Sequence, residues 1–316
     1  MKTTTVIIGL TLAVAGAAHG QFFPERDPAD VNGDGLINSL DLAEVLGRWG
    51  PAEPAWAVVL ERCPDPNVVT DETLREAIAA TGLPWRVQDL GTGIEMLLVP
   101  PGTFMMGCSA SEQSDCYRPE SPVHEVTLTR AFYLGRYEVT QAQWASVMGT
   151  NPSLFATGEQ APMRPVEQVP WNLVAQFLAD TDSRLPTEAE WEYACRAGTT
   201  TAFNNGSDDN ATLGDIGWYV GNADGTTHPV GLKTGNGLGL HDMHGNVWEW
   251  VSDWYGDEYY ATSPATDPQG PTTGTRRVLR GGPFSDPARN CRSSVRASWL
   301  PSTATFRHGF RVARTP

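Results

Sequence analysis

The sequence predicts an irregular α+β fold with little regular secondary structure. Two features of composition predict it: 32 glycines and 24 prolines spread through 316 residues, and 11 tryptophans. Glycine and proline are turn residues, and large aromatics fill a core that short elements cannot fill with regular packing. A bundle of long helices would carry fewer breakers. The third observation is that the apolar pattern yields only short strand and helix signals, with no internal repeat. An apolar fraction of 40% and a mean hydropathy of −0.30 describe a soluble globular chain, long enough for a sizeable core.

The formal charge is −15, with an isoelectric point near 4.7. So acidic a surface repels phosphate backbones and anionic headgroups, which argues against nucleic acid or a membrane surface as partner and in favour of calcium or basic partners.

Residues 1–20 read as an export signal, with Lys2 in the basic region, an apolar run from Val6 to Ala18 and small residues before Gln21. The run is too short to span a bilayer, and no later segment is apolar enough. The mature protein is expected outside the cytoplasm, with no membrane insertion after signal removal.

Residues 27–50 carry Asp30, Asn32, Asp34, Asn38 and Asp41 at positions 1, 3, 5, 9 and 12 of a loop, with Gly35 at position 6. Alternating oxygen donors turn inward, the glycine allows the sharp bend, and Leu36 offers its carbonyl; that is the spacing of a calcium loop. A helix follows over 39–49, with Leu42, Val45, Leu46 and Trp49 on one face. This EF-hand-like loop and helix resembles a dockerin repeat, with Asp41 in place of the usual glutamate. Dockerins pair two such repeats and only one is present, so docking to a cohesin-like partner does not follow.

Residues 51–90 read as a proline-bearing linker with one helix, capped by Thr70, with Leu74 and Ile78 on one face and Gly82 at its end. Residues 91–316 form the main domain. Strands are expected over 95–99, 124–128 and 132–139, and helices over 141–148, 171–179 and 188–196. The last helix has a capping box, Thr187 with Glu190. Beyond Gly198 the chain reads as turns and irregular structure. Of the five cysteines, Cys108 and Cys116 flank a polar excursion and are expected to bridge in an oxidising compartment; Cys63, Cys195 and Cys291 are not paired by spacing.

Within the main domain a series of motifs occurs in a fixed order: VPPGTFMMG at 99–107, YEVTQAQW at 137–144, PVEQVPW at 165–171, RLPTEAEWEYA at 184–194, GLHDMHGNVWEW at 239–250, RGG at 280–282 and GFRVA at 309–313. Together they resemble the sulfatase-modifying-factor family, that of formylglycine-generating enzyme. The resemblance implies a C-type-lectin-like topology and bound structural calcium. It places one calcium on the side chains of Asp242 and Glu249 and the carbonyls of Gly245 and Val247. Oxygen donors around a Gly-Asn turn suit that ion; alternatively Glu249 meets an arginine and Trp248 and Trp250 pack. His241 and His244 read as satisfied histidines, since no third transition-metal ligand is in view.

The resemblance also implies a copper oxidase that converts a sulfatase cysteine to formylglycine. Two opposed thiolates hold Cu(I), a soft ion. Here Cys291 falls on the second thiolate, Asp286 replaces the first, and Pro283 replaces a serine. A carboxylate is a hard donor, so Cu(I) is not supported. Cys195 falls where some relatives carry a structural disulfide cysteine, opposite Arg296; a bridge to Cys291 and a buried free thiol are the alternatives. The sulfoxide-forming branch of the fold needs N-terminal histidine ligands, and no histidine lies between Gly20 and Val123. The expectation is a calcium-stabilised binding or accessory module for an unidentified protein, peptide or glycan, with the oxidase as the alternative. Trp248, Trp250 and Trp254 either present an aromatic surface to that partner or fill the core.

Overall fold

The computed structural model describes residues 54–109 and 116–316. The export signal at 1–20 and the calcium loop with Asp30, Asn32, Asp34, Leu36, Asn38 and Asp41 lie outside the described residues.

The architecture is mixed α and β, with few helices and several small sheets. A five-stranded antiparallel sheet has the order β1 (Ala57–Glu61), β2 (Arg86–Asp89), β3 (Glu95–Val99), β6 (Phe132–Gly135), β13 (Ala313–Arg314). The last strand thus returns beside a strand near the start of the domain. Stretch 51–90 is therefore more than the linker expected from its prolines. It supplies β1, helix α1 (Glu72–Ala80) and β2, and β1 covers the edge of β2 in register from Ala57 opposite Asp89. The signal for β1 is a five-residue alternation of half-buried and exposed positions, easily lost between prolines. Helix α1 is capped by Asp71, whose carboxylate accepts from the Leu74 N–H at 3.2 Å, and not by Thr70. Ile78 is its buried contact with the core.

A hairpin of β4 (Gly102–Met106) and β5 (His124–Leu128) encloses the Cys108–Cys116 disulfide, which forms as the spacing predicts. The strand expected over 132–139 stops at Gly135, whose N–H goes to the Val312 carbonyl. Helices α2 (Gln141–Met148), α3 (Trp171–Asp180) and α4 (Glu188–Arg196) stand where the periodicity puts them. The Thr187–Glu190 box closes in both directions, with Glu190 accepting from the Thr187 N–H at 2.8 Å.

The chain beyond Gly198 holds more order than its turns announce. A two-stranded parallel pair joins β7 (Gly217–Trp218) and β8 (His244–Gly245). A four-stranded sheet has the order β11 (Ala297–Trp299), β10 (Arg277–Arg280), β9 (Trp248–Trp254), β12 (His308–Gly309). Its strands were hidden in the sequence because both faces of β9 are largely buried, which removes the polar alternation. Trp248 and Trp250 belong to the core, as do Trp144 and Trp191. Buried charges are compensated in pairs: Glu192 with Arg196 and Arg280, Glu188 with Arg296, Glu120 with Arg292. Ionised groups tolerate such burial only when paired and hydrogen-bonded.

Candidate functional site

The loop that leaves β10 carries the residues on which oxidase chemistry would depend. Gly282 has φ +77°, and a Cβ there would fall 2.7 Å from both the Cys291 Sγ and the Asn290 carbonyl. Only glycine lets the chain double back so closely on Cys291. The Phe284 N–H then bonds the Asn246 carbonyl, a turn returns the Asp286 N–H to the Pro283 carbonyl, and a short 3₁₀ helix, Ala288–Cys291, delivers the cysteine.

The Cys291 side chain is fully buried against Ala202, Phe203, Leu213, Ile216 and Ala288. Burial, and secondarily the negative charge of Asp286, push its thiol well above the ordinary range, so it is protonated at neutral pH. Asp286 does not stand opposite it as a free ligand: its Oδ2 accepts from Asn290 Nδ2 at 3.0 Å and its Oδ1 faces Arg307 Nη1 at 3.5 Å. Cys195 does not bridge to Cys291; both are free. The Cys195 sulfur contacts His244 Nε2 and Ser293 Oγ, each at 3.7 Å, and the Met243 carbonyl at 3.9 Å. Burial pushes its thiol up to about 12. Arg296, where the resemblance puts that cysteine's disulfide partner, instead holds Glu188. No second thiol meets the Cys291 sulfur among the described residues, so they do not fit Cu(I) held between two thiolates.

His244 lies between the two cysteines. Its Nε2 accepts from the Asn204 N–H at 3.2 Å, which leaves Nδ1 to donate to the Cys291 carbonyl at 2.6 Å. Burial lowers its pKa to about 4, so it stays neutral. His241 bonds the Lys233 carbonyl through Nδ1 at 2.8 Å and packs on Tyr137. Both histidines are satisfied by protein groups.

Asp242, Gly245, Val247 and Glu249 are all buried on one stretch of chain. Asp242 Oδ2 accepts from the Gly231 N–H at 2.7 Å, and its Oδ1 is buried without a partner. That orphan oxygen is what a cation ligand would look like. Glu249 differs. Arg311 donates to both its oxygens, Nε to Oε2 at 2.7 Å and Nη2 to Oε1 at 2.6 Å, and Trp191 Nε1 adds a third bond at 2.7 Å. The guanidinium already supplies the positive charge, and the Val247 N–H is held by Glu138 Oε1 at 3.1 Å. The Glu138 carboxyl is pushed well above its usual range chiefly by burial, and then by the neighbouring Asp242 and Glu249. Arg311 thus already neutralises Glu249, and Asp242 Oδ1 is the one side-chain oxygen of the four residues without a partner in the protein. Among the described residues the one cluster of three close metal-ligating side chains is Cys108, Cys116 and Glu120, whose thiols are consumed by the disulfide and whose carboxylate holds Arg292.

Of the three tryptophans considered as a surface, only Trp254 remains partly exposed. Its ring lies 3.5 Å from the Arg277 guanidinium, which Trp171 covers at 3.9 Å on its own side. Sequence reasoning passed over Trp299, which pairs across the strand with Arg277 and is 44% exposed. Its only signal is a tryptophan next to Leu300 and Pro301.

Comparison with known proteins identifies the family of the domain. Residues 81–316 match the sulfatase-modifying factor enzyme 1-like domain. The formylglycine-generating enzyme of Thermomonospora curvata is 31% identical over 295 residues, spanning 72% of this chain and 95% of that protein. That of Streptomyces coelicolor is 38% identical over 189 residues, 55% of this chain and 59% of the relative's own length. Among solved structures, Treponema denticola variable protein 1 superposes with a TM-score of 0.64 at 30% identity, covering 71% of this chain and 95% of that one. No helix among the described residues is long and apolar enough to cross a membrane.

Proposed function

This chain belongs to the sulfatase-modifying factor enzyme 1-like family, and on that premise we propose that it is a member without copper-dependent oxidase activity, acting outside the cytoplasm as a binding or accessory module. The observation that carries the reading is the state of Cys291: a buried, protonated thiol among apolar side chains, with Asp286 turned to Asn290 and Arg307. Thiolates bind Cu(I); a thiol in an apolar pocket facing no second sulfur does not. Calcium at residues 30–41 belongs to the same proposal, where it orders a loop rich in like charge. The partner in this reading is an unidentified protein, peptide or glycan.

Identity to formylglycine-generating enzymes, and Cys291 at the second-thiolate position, favour the oxidase as the second reading. The two part on one experiment. Mature protein is titrated with Cu(I) under reducing conditions, then incubated in oxygen with a Cys-x-Pro-x-Arg peptide. The expected result is no stoichiometric tight copper binding and no aldehyde product. Turnover that disappears in Cys291→Ser would reverse the assignment.

A further inference from the structure

A cavity of about 470 Å³ lies where α1 packs against β4 and the end of α4, and it shares no residue with the Asp286–Cys291 loop. That volume lies in the range of small-molecule sites. One wall consists of Phe104, Tyr193 and Leu238, within the family-matched residues. The other, Leu74 and Ala77 of α1, precedes residue 81, where the family match begins. One wall of the cavity thus comes from residues that precede the family match.

Its lining sorts by chemistry. Phe104 and Tyr193 set two rings 5.3 Å apart at a tilt of 55°, and the Tyr193 hydroxyl makes no hydrogen bond to the described residues. A Cβ on Gly102 would fall 2.2 Å from that hydroxyl, so the glycine lets β4 lie close against Tyr193 as it stands. Two charged side chains border the space. Arg196 is buried and spent on Glu192 at 2.9 Å, the Gly107 carbonyl at 2.8 Å and the Thr201 carbonyl at 3.1 Å. Asp71 is exposed, and its capping bond to the Leu74 N–H leaves its charge intact. The C-terminal turn of α4, through Ala197 and Gly198, adds the negative end of a helix dipole. The site is apolar and aromatic inside and negative at its rim.

We propose that this cavity binds a small aromatic amine, its ring among Leu74, Phe104 and Leu238 and its ammonium group at Asp71. An anionic ring compound meets the rim carboxylate, and the one cation among the described lining residues, Arg196, is already paired with Glu192. A neutral ring keeps the apolar contacts but lacks the charge pairing.

The test titrates the full chain with tryptamine, indole and indole-3-acetate by calorimetry. These share a ring and differ in charge. Tryptamine is expected to bind most tightly and indole-3-acetate least. Asp71→Asn keeps a capping oxygen and removes the charge; it should weaken tryptamine about three-fold, as an exposed ion pair would, and leave indole unchanged. Ala77→Trp fills the space and should abolish binding of all three, with circular dichroism reporting whether the variant folds. Equal affinity for the three probes, no binding of any, or tryptamine affinity unchanged by Asp71→Asn would overturn the proposal.

Discussion

Arg311→Leu isolates the ion pair that neutralises Glu249, one of the two carboxylates on which the resemblance places calcium. Arg311 is fully buried and donates to both Glu249 oxygens and to the carbonyls of Gly135 and His241, each at 3.0 Å. Removing it strands Glu249 beside Glu138 and Asp242, with only Trp191 Nε1 left as donor. Breaking a buried pair costs about 3–5 kcal/mol, and the two unmet carbonyls add roughly 1 kcal/mol each. The total, about 5–7 kcal/mol, is a large part of a typical domain's stability. A proton can neutralise the stranded carboxylate, so the loss should be smaller at pH 5 than at pH 8. Arg311→Lys, which keeps the charge but loses the two-pronged geometry, should fall between. Urea midpoints of the three proteins at both pH values measure this. If Arg311→Leu loses less than about 1 kcal/mol at pH 8, or if added calcium stabilises the wild-type domain through Glu249, the guanidinium is not the cation of this site.

Three further outcomes follow from named contacts. Burial, with Glu188 close by, raises Asp253 to about 7. The folded chain therefore holds that proton longer than the unfolded chain, and this residue's contribution to stability falls as pH rises from near 4 to near 7, by at most about 4 kcal/mol. Asp253→Asn should flatten that part of the profile in urea unfolding at pH 4.5–7.5; an unchanged slope would contradict it. Gly282→Ala must place a methyl against Cys291 at positive φ, for about 3 kcal/mol of strain and overpacking, and Cys291→Ala in the same chain should restore part of it; thermal unfolding of both variants decides. Calcium titration of the full chain should lose its signal in Asp34→Ala and keep it in Glu249→Gln, because Arg311 already neutralises that carboxylate.

The legible parts of the fold were those with a local cause. Helix α4 announces itself through Thr187 and Glu190, β5 through its alternation, and the disulfide through two cysteines at the base of a polar loop. Asp286 is visible in the sequence as a hard donor where the resemblance puts the first thiolate. What stayed hidden depends on distant partners. The fit of Glu249 to Arg311 joins residues 62 apart in sequence, and a glutamate beside tryptophans looks the same whether it meets a metal or a guanidinium. Likewise Trp250 and Trp254 lie on the same strand, yet one enters the core and the other stacks on Arg277.

Strand β1 and helix α1 lie before the point where the shared domain begins, yet Val69 and Ile78 are fully buried in its core. A fragment trimmed at residue 81 would uncover those contacts and bare the backbone donors and acceptors along β2. Such an open margin invites pairing between molecules. The leading segment thus acts as a border, moving the sheet's margin from β2 out to the short, five-residue β1.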